Sequence, residues 1–243
     1  MITLYDVGPA PNSSEISLSP HVRKARYILN YKRIPYKVSW VTFFTLEETA
    51  KSLGAAPTGV RADGSIRYTV PFIVDSSNGA VVSDSYRIAE YLDRTYPDTP
   101  RLVPGGTEGL QWAWGDTIPM RIIPLLGGLA RPLIEKANGK EVMKGVDKAY
   151  GPPGPPMSEE EKKKAWGVVK ATLDDISKYY PEGQVFLTGD KPIYADFSFI
   201  PVFWSVKTLF GSESEEWKEM AGWNGGRWGR MLDKVQYESM EVV

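Results

Sequence analysis

The chain has no cysteine among its 243 residues. That excludes disulfides, thiolate metal sites and every mechanism built on a cysteine nucleophile. A single histidine, His21, leaves little material for a histidine-based metal site, and no metal is expected. A Ser-His-Asp triad would have to use His21; Ser19 stands two positions away, and side chains two apart on a helix diverge. Neither sign of charge is in excess. With 29 Lys and Arg against 30 Asp and Glu, the formal net charge of −1 gives no reason to expect nucleic acid or an anionic membrane as partner. No segment reaches about 18 consecutive apolar residues, the length a bilayer span needs. The opening Met1-Ile2-Thr3-Leu4-Tyr5 lacks the basic-then-apolar order of a secretory signal. These absences leave a soluble, cytoplasmic protein as the expectation.

What is present divides the chain. Residues 2–5 read as a strand, followed by a loop rich in Pro, Asn and Ser from Gly8 to Ser17. Ser19-Pro20 is a helix start, Ser as N-cap and Pro in the first turn. That helix runs until Arg33-Ile34-Pro35 interrupts it, and Tyr36 to Val41 reads as a second strand. Thr45-Leu46-Glu47-Glu48 has the form of a capping box and opens a short helix ending near Gly54. Two strands, Tyr68–Val74 and Ala80–Val82, flank a Ser76-to-Gly79 turn, and a helix spans Asp84 to Tyr96. A βαβ unit is parallel and a tight hairpin antiparallel, so the sheet is expected to be mixed, in a thioredoxin-like order.

Prolines and glycines between Pro97 and Gly106 punctuate the chain, and beyond them helical signals replace strands. The expected organisation is α+β: residues 1–97 a thioredoxin-like domain, 98–105 a linker, and 106–243 an all-helical bundle. Pro124, Gly127-Gly128 and Pro132 predict that the first long helix there is kinked or broken. Gly151 to Pro156 is a stiff connection, and Ser158-Glu-Glu-Glu161 is a capping box. Behind it Trp166, Val169, Leu173, Ile176 and Tyr180 form a buried stripe. Ala195 to Leu209 is apolar nearly all round, as expected of a central helix, with Pro201 a kink.

The residues that carry chemistry lie in the first half. A strand opening at an X-Pro bond exposes main-chain N–H and C=O groups, and Val70-Pro71 is such a bond. Asp84-Ser85, at the mouth of a helix, offers an acceptor, a hydroxyl and a helix N-terminus for charged groups. With Ser19-Pro20 they describe a pocket that grips a small peptide by its backbone and carboxylate, and glutathione is the ligand to test first.

Three signatures in order resemble the cytosolic glutathione transferases over essentially the whole chain. They are Val70-Pro71, Asp84-Ser85 leading into Ile88-Ala89-Glu90-Tyr91-Leu92, and Gly189 to Asp196 before the central helix. The opening residues and Ser19-Pro20-x-x-x-Lys-x-Arg26 are most similar to fungal transferases related to bacterial lignin β-etherases. The resemblance implies a serine-type enzyme in which the Ser19 hydroxyl activates the thiol of glutathione, the co-substrate. Ser19 stands where omega-type relatives carry a cysteine, so disulfide exchange through a protein thiol is excluded. Plain N-capping by Ser19 is the alternative, and Ser13, Ser14 and Ser17 share its loop.

The resemblance further implies a cis Pro71, Val70 meeting the cysteinyl part of the tripeptide, and Asp84 and Ser85 holding the γ-glutamyl end. His21 either donates to the thiolate or is a surface histidine. Lys51 and Arg61 are both candidates for the glycyl carboxylate. Asp196 is structural, and Ile193, where relatives carry Ser or Thr, leaves its capping box incomplete. Trp112, Arg121 and Phe199 are candidates for a hydrophobic substrate site, with Trp114 and Trp204 also available. The implied function is glutathione-dependent attack on hydrophobic or aromatic electrophiles in detoxification, by conjugation, peroxide reduction or ether cleavage, in a homodimer. The alternative is a non-catalytic ligandin that binds aromatic or polyphenolic molecules.

Overall fold

A computed structural model of the chain describes residues 1–8, 19–61 and 63–242, with main chain alone at positions 137 and 150. Most of the Gly8-to-Ser17 loop, with Ser13, Ser14 and Ser17, lies outside the described residues. Contacts divide the chain into two units, one of residues 1–102, 138–152 and 237–243, the other of 103–137 and 153–236. This partition differs from a single division near residue 100, because two later segments pack with the first unit.

In the first unit, strand β1 (Ile2–Val7) leads to helix α1 (Pro20–Tyr31), β2 (Tyr36–Val41) and the short α2 (Leu46–Ser52). A two-stranded ribbon follows, β3 (Gly59–Val60) and β4 (Ile66–Arg67), then β5 (Phe72–Asp75), β6 (Ala80–Ser83) and α3 (Ser85–Thr95). The main sheet has the order β2-β1-β5-β6. β1 and β2 run parallel, and β1–β5 and β5–β6 antiparallel, so the sheet is mixed as expected. Ile2, Leu4 and Ile73, on one face of the sheet, fill a layer of the core with Val22, Ala25, Ile28 and Leu29 of α1 and Ile88, Ala89 and Leu92 of α3. Apolar residues at helical spacing on α1 and α3, facing alternate residues of the strands, produce this layer.

Two local expectations fail. The Thr45 hydroxyl makes no cap bond to α2; it accepts instead from the Thr42 N–H at 3.1 Å, so no capping box forms. The β3–β4 ribbon was not anticipated, and its signal is Asp63-Gly64, a turn pair whose Gly64 has φ 82°. Residues 68–71, read as strand, lie outside the ladder, which begins at Phe72.

The edge strand β2 is covered by the C-terminus. Val242 N–H donates to the Tyr36 carbonyl at 2.7 Å, and Tyr36 N–H to the Met240 carbonyl at 3.1 Å. Pairing of this kind protects a sheet edge. Arg26 of α1 joins the same region, donating to Asp6 through Nη2 at 3.3 Å and to Glu241 through Nη1 at 2.5 Å.

The second unit is helical. Helix α4 (Glu108–Thr117) ends in a 3₁₀ turn (Pro119–Arg121), and α5 (Ile123–Tyr150) follows, its residues up to 137 in this unit and its Ile123–Lys136 stretch bent by 49° from Glu108–Arg121. The expected break therefore precedes Pro124, which enters the first turn of a new helix, where its missing N–H costs nothing. Pro132 is carried inside α5, and the interruption comes at Gly139, with φ 81° and ψ 167°. Helices α6 (Glu159–Ser177), α7 (Tyr194–Phe210) and α8 (Glu215–Lys234) complete the unit, α8 with non-helical backbone from Trp223 to Gly226. The Ser158 capping box forms with both of its bonds, Glu161 N–H to Ser158 Oγ and Ser158 N–H to Glu161 Oε2. Val169, Leu173 and Ile176 are fully buried, Tyr180 nearly so, and Trp166 half-buried. Asp196, fully buried in α7, accepts from Ile193 N–H and Leu187 N–H, each at 3.0 Å. Ile193 has no acceptor to return the bond, so half of a capping box is present. Among the described residues no single helix is long and apolar enough to cross a membrane; one bent pair, Glu108–Arg121 with Ile123–Lys136, passes by length and composition only.

Candidate functional site

Beyond the β1–β5 ladder the chain reaches Val70-Pro71, and this peptide bond is cis. Val70 is buried, yet among the described residues neither its N–H nor its C=O has a hydrogen-bond partner. Buried main-chain groups are almost always paired, so an open donor and acceptor on one residue suit the backbone of a bound peptide.

Asp84-Ser85 is tied directly to this bond, because the Asp84 N–H donates to the Pro71 carbonyl at 3.2 Å. Asp84 caps α3, its Oδ1 accepting from Tyr86 N–H at 2.9 Å and Arg87 N–H at 3.2 Å. Its backbone has φ 78° and ψ 135°, a region that strains any residue with a Cβ. Such strain persists where the surroundings hold it, and it accompanies functional sites. Ser85 follows as the first residue of α3 and is buried.

Ser19 is the N-cap of α1, and its Oγ accepts from the Val22 N–H at 3.3 Å. A hydroxyl that accepts a cap bond still has its proton to donate, so capping and thiolate stabilisation are compatible on one oxygen. His21 is held neutral. Burial first, then the charges of Lys24 and Arg67, push its imidazole down to about 3. It cannot serve as an imidazolium near neutral pH; what it retains is one neutral N–H.

A cavity of about 330 Å³ lies within the first unit; of the residues above, Val70 lines it, whereas Ser19, His21, Pro71, Asp84 and Ser85 do not. Val7 at the end of β1, Phe43 and Phe44 after β2, Arg61 and Arg67 of the ribbon, and Val70 all line it, as does Lys148 from the far end of α5. Arg61 is on this wall, whereas Lys51 is not. Arg61 donates to Glu47 Oε2 at 3.1 Å and to the Ile66 carbonyl at 2.6 Å, which fixes its guanidinium. Lys51 is turned to Glu47 Oε1 at 2.7 Å and lies 5.5 Å from the centre of the Tyr68 ring. Among the described residues no cluster of three or more His, Cys, Asp or Glu side chains could hold a metal ion.

Residues 18–95 match the glutathione S-transferase N-terminal domain, and residues 138–237 the glutathione S-transferase C-terminal domain. The glutathione S-transferase-like protein ustS of Aspergillus flavus is 32% identical over 245 residues, covering 91% of this chain and 85% of the relative. The chain belongs to the glutathione S-transferase family. A crystal structure of the glutathione S-transferase CsGST63524 of Ceriporiopsis subvermispora, in complex with glutathione, is 34% identical with a TM-score of 0.85, covering 100% of this chain and 98% of that one. Glutathione transferase GSTFuA2 of Phanerochaete chrysosporium is 30% identical with a TM-score of 0.84, each chain covered to 98%.

In this glutathione S-transferase the helical unit disposes its three candidates differently. Trp112 on α4 is about half exposed, at 49%. Arg121 is paired with Asp175 at 2.7 Å, and that hydrogen bond raises its already high pKa. Phe199 is fully buried, edge-on to Phe203 and Trp228 with ring centres 5.1 and 5.8 Å away. Its burial among these rings is that of a core residue of α7. The all-round apolar character of α7 already favoured core there. Sequence reasoning missed Phe43, Phe44, Arg67 and Lys148. Phe43-Phe44, of which Phe44 is 54% exposed, had a signal in two adjacent aromatics set between Thr42 and Thr45. Lys148 had none, since nothing local links it to Val70.

Proposed function

We propose that this chain is a serine-type glutathione transferase of the etherase-related kind found in fungi, acting on hydrophobic or aromatic electrophiles. The observation that carries it is the unpartnered main chain of Val70 at a cis X-Pro bond, joined to the strained Asp84 cap. Fungal relatives in complex with glutathione support the choice of peptide.

In this reading the cysteinyl backbone of glutathione pairs with the Val70 N–H and C=O. The γ-glutamyl carboxylate meets Ser85 and the N-terminus of α3, the ammonium meets Asp84, and the glycyl carboxylate meets Arg61 on the cavity wall. Ser19 donates its hydroxyl proton as a hydrogen bond to the thiolate. A thiol with pKa about 8.5 needs about 2.7 kcal/mol of thiolate preference to fall two units. A hydrogen bond to a charged acceptor supplies roughly 1.5–3 kcal/mol, and the α1 N-terminus about 0.3–1 kcal/mol. The two together suffice. His21, being neutral, contributes at most one N–H bond.

In conjugation the thiol proton leaves, sulfur bonds to the electrophilic carbon, and for an isothiocyanate the nitrogen takes up a proton. The same thiolate serves ether cleavage, with the displaced oxygen protonated, and peroxide reduction, with a second glutathione closing the disulfide. We extend the reading to a cytosolic homodimer in detoxification; sedimentation showing a monomer at micromolar concentration would count against the dimer.

The test is the rate of glutathione addition to benzyl isothiocyanate for wild type and Ser19→Ala. A loss of about 10- to 100-fold near pH 7 is expected, from about 1.5–3 kcal/mol of thiolate stabilisation. The acidic limb of the pH profile, set by ionisation of the thiol, should move up by about one to two units. An unchanged rate and profile would remove Ser19 from the mechanism. A wild-type rate at background would favour the ligandin reading, which the exposed Phe44 on the cavity wall supports, with dye displacement by polyphenols as its own assay.

A further inference from the structure

The cavity beside Val70 holds two cationic side chains, Arg67 and Lys148, that the glutathione reading does not use. Its wall holds Arg61, Arg67 and Lys148 against the carboxylates of Glu47 and Asp63. Both carboxylates already have hydrogen-bond partners. Glu47 accepts from Lys51 at 2.7 Å and Arg61 at 3.1 Å, and Asp63 accepts from the Ser65 N–H at 2.9 Å and hydroxyl at 2.6 Å. Lys148 has no ion pair among the described residues; its ammonium lies 5.4 Å from the centre of the Phe44 ring. An ammonium on an aromatic face, without an ion pair of its own and with a second aromatic, Phe43, on the same wall, matches a flat ligand that bears an anion.

We propose that Lys148 and Phe44 select an aromatic acid, a ring system carrying a carboxylate or phenolate, as the second ligand of this cavity. The inference rests on the glutathione reading, since it assigns the co-substrate's own carboxylates to Arg61 and to the α3 N-terminus. Lys148 then discriminates among electrophiles and aromatic ligands by charge. Arg67, on the same wall, keeps the general field positive, while Lys148 supplies the specific contact.

The experiment is calorimetric titration of biphenyl-4-carboxylate and of neutral biphenyl-4-methanol into the full chain, with and without saturating S-methylglutathione. Wild type should bind the acid at least about tenfold more tightly than the alcohol, the scale of one charge-assisted contact. Lys148→Ala should abolish that preference and leave the affinity for the alcohol and for S-methylglutathione within twofold. Lys148→Arg should keep most of the preference. The proposal is overturned if the two ligands bind equally, if the preference survives Lys148→Ala, or if S-methylglutathione displaces the acid. The last result would assign Lys148 to a carboxylate of glutathione. Failure of S-methylglutathione to bind wild type is a separate outcome that removes the glutathione reading, while the acid-over-alcohol ratio still decides the role of Lys148.

Discussion

Asp196 offers a sharp test of how the helical unit is held, because its burial and its bonds pull in opposite directions. The side chain is fully buried, and its two oxygens accept main-chain N–H groups of Leu187 and Ile193 at 3.0 Å each. Asp196→Ala strands both donors. An orphaned buried donor costs about 1–3 kcal/mol, so the pair gives about 2–6 kcal/mol. The lower half of that range is expected near pH 8, since the replacement also relieves a buried charge. Burial pushes the carboxyl up to about 7, against the downward pull of the two main-chain donors. Below an unfolded value near 3.9 the group is neutral in both states. Between there and about 7 the folded chain holds a proton that the unfolded chain has released, so this group's stability contribution rises as pH falls through the window. A shift of that size corresponds to as much as ~4 kcal/mol. Urea unfolding of wild type, Asp196→Ala and Asp196→Asn at pH 5, 6.5 and 8, followed by tryptophan fluorescence, reads both effects, with the helical-unit transition analysed separately if two appear. The gap between wild type and Asp196→Ala should widen from pH 8 to pH 5, and Asp196→Asn should fall between. A gap under about 0.5 kcal/mol at every pH, or one that narrows on acidification, would refute the argument.

Two glycines in helices should respond to alanine with opposite signs. A Cβ at Gly145 would stand 2.8 Å from Phe43 Cβ, an atom too close to its backbone to swing aside, so Gly145→Ala should destabilise by about 1–2 kcal/mol and disturb the Phe43 wall of the cavity. Gly167 in α6 has nothing within 4 Å, and Gly167→Ala should stabilise by about 0.5–1 kcal/mol; equal signs in thermal unfolding would sink the contrast. Asp6 is fully buried beneath Arg26, whereas the Glu241 side chain on the same guanidinium is 34% exposed. Asp6→Asn should therefore cost about 3–5 kcal/mol in denaturant unfolding, and Glu241→Gln under about 1 kcal/mol. Comparable losses would mean the pair is not a buried one in solution.

The features legible in the sequence are those whose causes are local. Pro20 after Ser19, the Ser158–Glu161 reciprocity and the turn before Ala80 each involve residues within four positions, and each element forms where those residues stand. Thr45 shows the limit even at that range. Its capping partner was correct in spacing, but Thr42 competes for the same hydroxyl, and the competition is decided by geometry. Gly139 was outvoted for a different reason. Prolines at 124 and 132 carry the stronger general penalty, yet one falls in a first turn and the other is absorbed, so the single positive-φ glycine takes the break. That break coincides with the point where the chain passes from the helical unit into the segment 138–152, which packs with the first unit. The segment carries Gly145 against Phe43 and Lys148 over Phe44. Val70 and Lys148 therefore line one cavity through an arrangement that no periodicity encodes, and Phe199 is buried because α7 needs an apolar face on every side. The part of the candidate site proposed to grip a peptide follows from short motifs. The part proposed to choose a second ligand depends on a glycine and a lysine whose meaning exists only once the chain has folded back.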